Sequence, residues 1–154
     1  AIGLIEREPS ADSVGPRPEA LVLKAERTLG LEFPPTYREF LLRLGCGGIG
    51  GEEFYGVIDG DFENSGVPDA IWLTLECRRS IDLPDSQIVV SERGDGAHYT
   101  IDTARRDENG ESPVLCSWAA HPEYANPEEF APDFGALFLL FVKEEIQYLR
   151  EDDD

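Results

Sequence analysis

Residues 34–58, PPTYREFLLRLGCGGIGGEEFYGVI, are the stretch whose reading decides the fold. Tyr37, Phe40, Leu41 and Leu44 stand at i, i+3, i+4 and i+7, which puts four apolar side chains on one face of a helix. Pro34 and Pro35 suit its first turn, because the amide that proline lacks would be unpaired there in any case. The run GCGGIGG, residues 45–51, ends that helix and is expected to be a flexible helix-to-strand turn, since glycine tolerates positive φ. EFYGVI, residues 53–58, then reads as a short aromatic strand. A helix, a glycine turn and a strand in immediate succession seed a domain in which helices and sheet are built side by side.

Working outward, residues 18–29 form an earlier helix with a moderate apolar stripe, stopped by Gly30. Residues 1–16 carry Gly3, Pro9, Gly15 and Pro16 and read as a lead-in. Beyond the aromatic strand, residues 59–68 are an acidic loop, and residues 69–80 are read as a helix although Ile71, Trp72, Leu75 and Cys77 follow the period only roughly. Residues 87–90 make a strand, Gly94-Asp95-Gly96 a turn and residues 97–102 the returning strand. Asn109-Gly110 signals a second turn before a third strand at 113–118. A polar loop is expected over 119–129. The last helix, 132–150, gathers Phe134, Leu137, Phe138, Phe141, Val142, Ile146 and Leu149 on one face. Strands joined by short turns are antiparallel, so the expected class is α+β: a single domain with a mainly antiparallel sheet and helices packed against it. Its expected bounds are 17–150, with the lead-in before and an acidic tail at 151–154.

The chain has 154 residues, 41% of them apolar, enough for a hydrophobic core without disulfides or metals. Thirteen basic residues face 32 acidic ones, a formal net charge of −19. Nucleic acid and anionic membrane both require a surplus of Lys and Arg against phosphate, so neither is expected as a partner. Cys46, Cys77 and Cys116 are scattered without a CxxC pair and read as reduced, mostly buried thiols. The first dozen residues lack a basic start and a long apolar run, and no stretch approaches the length of a membrane span. A cytoplasmic location is the resulting expectation.

Tests for chemistry return little. Gly45 to Gly50 satisfies the letters of GxGxxG, but a dinucleotide site needs those glycines after a strand and before a helix, and here the order is reversed. Asp59, Asp61 and Glu63 alternate like the start of a calcium loop. The sixth position, however, is Asn64 rather than Gly and the twelfth is Ala70 rather than Glu. His98 and His121 lie in no HExxH spacing, and no GxSxG offers a serine nucleophile. Carboxylate pairs carry no information in a chain this acidic. No catalytic residue, metal ligand or cofactor is therefore assigned.

The charge distribution is more informative. No Lys or Arg intervenes between Arg43 and Arg78, while Glu52, Glu53, Asp59, Asp61, Glu63, Asp69 and Glu76 all fall inside. The same holds between Arg106 and Lys143, with Asp107, Glu108, Glu111, Glu123, Glu128, Glu129 and Asp133. Such windows are either solvated loops or acidic faces that steer a basic partner. Glu52, Glu53, Asp59, Asp61 and Glu63 are the candidate partner-binding carboxylates. Tyr55, Trp72 and Trp118 are the candidate aromatic anchors, with core burial the competing reading for Tyr55 and Trp72.

The order of these elements resembles the SUKH superfamily, in its Smi/Knr-like branch. Leu29-Gly30, Phe33-Pro34, Tyr37, Phe40-Leu41, Gly47-Gly48 and Phe54-Tyr55-Gly56 stand where that family has a helix ending in Leu-Gly, a Leu-Pro-type step, a second helix, a glycine turn and a strand. Arg78 or Arg79, Leu83-Pro84, Ile88-Val89-Val90, Gly94-Asp95-Gly96, Tyr99 and Ile101-Asp102 fit its middle, and the aromatic helix after Phe130 fits its end. Gly45-Cys46 replaces the usual Asn before the turn, and Phe33 a common Leu. The resemblance implies a non-enzymatic α+β binding domain. Bacterial members serve as immunity proteins that neutralise toxins, many of them nucleases, and fungal relatives look like scaffolds in cell-wall and signalling control. A cognate toxin domain with a basic active site is the partner this implies, with a regulatory scaffold as the alternative.

Overall fold

The computed structural model describes residues 1–118 and 126–153; His121 and most of the expected 119–129 loop lie outside them. In chain order the elements are α1 (Ile2–Ile5), β1 (Ala11–Ser13), α2 (Glu19–Leu29), α3 (Pro35–Leu44), β2 (Gly47–Ile49), β3 (Glu52–Phe54) and α4 (Ala70–Ser80). β4 (Gln87–Glu92), β5 (His98–Asp102), β6 (Val114–Ser117), β7 (Glu128–Ala131) and α5 (Phe134–Asp152) complete them. The fold is α+β, with two antiparallel sheets of order β1-β2-β3 and β4-β5-β6-β7.

A bulge joins the two sheets. The β4–β5 register steps from Val89↔Thr100 to Ser91↔Tyr99, leaving Val90 without a ladder partner. The Val90 carbonyl instead accepts from the Tyr55 amide at 2.8 Å, and the Ser91 hydroxyl donates to the Glu53 carbonyl at 2.8 Å. Phe54, Tyr37, Phe40, Phe134, Phe138 and Phe141 fill the core between the sheets and helices α3 and α5. Their rings meet mostly edge to face, with centroids 4.7 Å apart for Phe54 and Phe138 and 5.0 Å for Tyr37 and Phe134.

Buried polar groups lock the helices. Asp69 caps α4, its Oδ1 accepting from the amides of Ile71 and Trp72 at 2.9 and 3.0 Å. Glu111 accepts from the Thr36 amide at 2.8 Å and the Thr36 hydroxyl at 3.0 Å, so a residue far along the chain satisfies the first turn of α3. The same Thr36 oxygen accepts from the Gly135 amide at 3.1 Å, tying in the start of α5. Buried Glu26 pairs with Arg38 and accepts from the Phe33 amide at 2.8 Å, holding the α2–α3 corner. Where the chain leaves α3, a Cβ on Gly56 would stand 1.8 Å from the Gly45 carbonyl oxygen, so that crossing admits only glycine.

The helices over 18–29, 69–80 and 132–150 and the three central strands form close to where the pattern put them. Three details differ. Residues 1–16, read as a lead-in, contain α1 and β1; Ile5 enters the core and β1 pairs with β2. The glycine run does more than turn, because Gly47–Ile49 is itself a strand and the reversal falls at Gly50 and Gly51. The aromatic strand is correspondingly short, Glu52–Phe54. Lastly, β7 occupies part of what read as a loop, pairing with β6. Strands of three or four residues are too short to show a period, and pairing with distant partners is what defines them.

Candidate functional site

The candidate residues of the sequence separate by element. Glu52 and Glu53 are neighbours on β3 and point to opposite faces, as successive strand residues must. Glu52 turns inward and meets the Arg93 guanidinium at 2.9 Å. Burial pushes its carboxyl above the ordinary value, with Arg93 pulling back. Glu53 is exposed.

Tyr55 is buried. Its carbonyl accepts from the Tyr37 hydroxyl at 3.0 Å and its own hydroxyl donates to Glu92 at 3.4 Å. It packs with Ala70, Cys77 and Val89 in a small second core, so of its two readings the structure places it in the interior. Burial also pushes its phenol far above the ordinary value.

Asp59, Asp61 and Glu63 share the loop that follows. Asp59 accepts from the Asp61 amide at 2.9 Å, and Asp61 from the Asn64 amide at 3.1 Å. The bond from Asn64 holds the Asp61 carboxyl below its usual range. Two of the three carboxylates thus fold their own loop, which is pinned by buried Phe62 and by Lys24 donating to the Gly60 carbonyl at 2.7 Å. Trp72 is half-buried on the first turn of α4, and Trp118 is half-buried against the core beyond β6.

The fold assembles a wider acidic band around Glu52 and Glu53. A groove of about 390 Å³ runs over β1–β2–β3 and is lined by Asp12, Glu52 and Glu53 among small residues. A second concavity of about 450 Å³ shares Glu52 and adds Glu92, Asp95, Glu144 and Glu145. Arg93 is the one basic residue among the described residues lining either. Its charge is already paired: Glu52 lies at 2.9 Å, Glu144 at 3.3 Å, and its guanidinium stacks 3.9 Å from the Phe141 ring centroid. The band therefore presents a strongly negative field with its single cation neutralised.

Sequence reasoning missed Asp12, Glu92, Asp95, Glu144 and Glu145. Glu144 and Glu145 directly follow Lys143, which closes the second charge window, and Asp12 sits in the supposed lead-in. Their one legible signal is that Glu144 and Glu145 fall off the apolar stripe of α5.

Catalytic machinery is hard to assemble from these groups. All three thiols are free and buried, and burial pushes Cys46 up to about 11. His98 Nε2 lies 3.3 Å from the Glu92 carboxylate on the rim of the sheet. Among the described residues no group of three or more His, Cys, Asp or Glu could hold a metal ion. No described helix is long and apolar enough to cross a membrane.

The family model described as SUKH_6, SMI1-KNR4 cell-wall, matches residues 19–138, from the start of α2 into α5. The chain belongs to the SUKH superfamily. Membership associates this SUKH domain with proteins that are generally non-catalytic and work by binding other proteins. A crystal structure of a protein from Pseudomonas syringae pv. tomato is similar to this SUKH domain, with a TM-score of 0.50 and 17% identity over 74% of this chain and 82% of that one. That likeness is one of fold. No curated protein matches the chain. The matched segment includes Glu52 and Glu53, whereas α1 and β1, with Asp12, lie before it.

Proposed function

We propose that this SUKH domain is a cytoplasmic, non-enzymatic immunity-type protein that neutralises a cognate bacterial toxin by covering a basic surface of it, such as a nuclease active site. The observation that carries this reading is the acidic band, contiguous through Glu52 and left without a free cation by the pairing of Arg93. A surface of this kind raises the rate of encounter with a basic partner, and the low-dielectric grooves within it focus the field. Specific affinity then has to come from contacts made after encounter.

The test is capture of partners on the tagged protein from its native host, at low and at high salt, followed by kinetics with the recovered domain. The expected partner is a basic toxin domain. Its association rate should fall by about tenfold or more between about 0.05 and 0.5 M salt, as the screening length shrinks well below the width of the band, while dissociation changes little. A salt-insensitive association rate would remove the electrostatic mechanism. Recovery solely of signalling or cell-wall proteins would favour the scaffold reading.

A further inference from the structure

Most basic side chains of this acidic chain are already engaged. Arg38, Arg43 and Arg93 pair with carboxylates, and Arg17, Lys24 and Arg106 donate to backbone carbonyls. Lys143 and Arg150 on α5 are exposed and hold neither kind of partner among the described residues. They stand together in one concavity of about 450 Å³, between α5 and Leu4 of α1, with Ile146 and Gln147 separating them. Glu151, the acid of its rim, accepts from the Gln147 side-chain amide at 2.9 Å. The same surface bares apolar side chains: Leu4 is 37% exposed, and Leu140, one turn before Lys143, is 43% exposed. This face of α5 is distinct from the acidic band, which meets the helix through Glu144, Glu145 and Tyr148.

The spacing of the two cations says what can cover them. Seven residues of helix separate Lys143 from Arg150, so they are rooted about 10.5 Å apart along the axis. A partner has to match that distance with two carboxylates on one face. An extended segment cannot, because its same-face residues fall at about 6.8 and 13.6 Å and the one near 10 Å points the other way. A helix with acids at i and i+7 matches it, and its residues at i+3 and i+4 then lie between the acids, where Leu4 and Ile146 offer apolar contact. A second copy of this chain is a poor source of those acids. Its Glu144 is paired with Arg93 and its Glu151 with Gln147, and it brings a net charge of −19 against another −19. We propose that the α1–α5 groove receives an acidic amphipathic helix of another protein, its two carboxylates on Lys143 and Arg150 and its apolar residues on Leu4 and Ile146. The groove is opposite in charge to the acidic band, and its occupant does not depend on whether the band meets a toxin.

The experiment is an amide NMR titration, to about 2 mM, with the blocked peptide Ala-Glu-Ala-Gln-Leu-Leu-Gln-Ala-Glu-Ala-Gln-Ala, whose acids are seven residues apart. The control peptide exchanges the second Glu with the Gln two residues before it, which keeps composition and turns that acid off the face. Both are titrated into the full chain, and the first also into the Lys143→Gln, Arg150→Gln double variant, whose substitutions are at exposed positions and whose folding is read from the remaining amides. Saturable shifts centred on Leu4, Lys143, Ile146, Gln147 and Arg150 are the expected result. They should weaken by about fivefold in the variant and by a similar factor with the control peptide, the loss of two partly exposed ion pairs. Absence of saturable shifts, shifts centred elsewhere, equal binding by the control peptide or unchanged binding to the variant each overturns the proposal. So does sedimentation as a dimer that the double variant abolishes, since a second copy would then be the occupant.

Discussion

The two faces of the β1–β2–β3 sheet are built from the same few residues and do opposite work. On the inner face Phe54 is fully buried, its ring 4.7 Å from Phe138, and Ile49 beside it is buried as well. On the outer face, one residue away along each strand, stand Asp12, Gly48 and Glu53, and among the described residues no side chain pairs with either carboxylate. Strand alternation thus separates stability from recognition at single-residue resolution. Residues that hold the sheet down are large and aromatic; those available to a partner are charged or absent. At Asp12 and Glu53 this surface can change its chemistry without endangering the fold, whereas a Cβ at Gly48 would meet the Glu52 carbonyl oxygen at 2.5 Å.

The largest effect that tests this division is at Phe54. Phe54→Ala should lower stability by about 3–5 kcal/mol, because it empties an aromatic site that Phe40, Phe138 and Phe141 share. Urea denaturation followed by tryptophan fluorescence measures it. A loss below about 1 kcal/mol would mean the inner face is not what anchors the sheet.

A smaller effect comes from Glu52, which is on the inner face yet belongs to the acidic band. Its carboxyl is raised in the folded protein by burial, with Arg93 only partly offsetting this. A raised acid binds protons more readily when folded than when unfolded, so its penalty is full above its folded value and is relieved as pH falls through it. The melting temperature should therefore rise as the pH is lowered from about 7.5 toward 5, above the ordinary carboxylate range near 4.3. The release of repulsion within a chain of net charge −19 acts in the same direction. Glu52→Gln should flatten the slope without abolishing it. A slope of the opposite sign would show that the pair with Arg93 outweighs burial, and would move Glu52 to the stabilising side of the comparison.

The smallest effect is expected on the outer face. Glu53→Lys should leave unfolding free energy within about 0.5 kcal/mol of the parent, since the side chain is exposed. The same change should slow association with a basic partner severalfold. A destabilised Glu53→Lys protein would break the separation between the two faces.

How much of this was legible differs by element. The stripe of Tyr37, Phe40, Leu41 and Leu44 and that of Phe134, Leu137, Phe138 and Phe141 were readable because a helix writes its buried face into local spacing, and all eight residues are buried. Gly30, with φ of 73°, stops α2 as its position after Leu29 suggested. β1 was not readable: Ala11-Asp12-Ser13 has no alternation of apolar side chains and is a strand because Gly47–Ile49 lies beside it. The role of Tyr55 was left open between anchor and core, since an aromatic residue in a short strand suits either. Its burial under α4 is settled by packing with Ala70, Cys77 and Val89.

The site divides in the same way. Glu53 could be singled out by the long interval free of Lys and Arg, which is a property of the chain alone. Its counterpart Asp12 could not, being 41 positions away in a segment whose sequence resembles a loop. By itself the sequence determined helices α2 to α5, the central hairpins, the excess of negative charge and the family, because periodicity, composition and motif order are local or additive. Tertiary structure alone decided that Glu52 is paired with Arg93 and that Glu144 and Glu145 join the band. It also decided that Asp12 faces Glu53 across Gly48, because cross-strand register and helix docking bring together groups that no spacing along the chain connects.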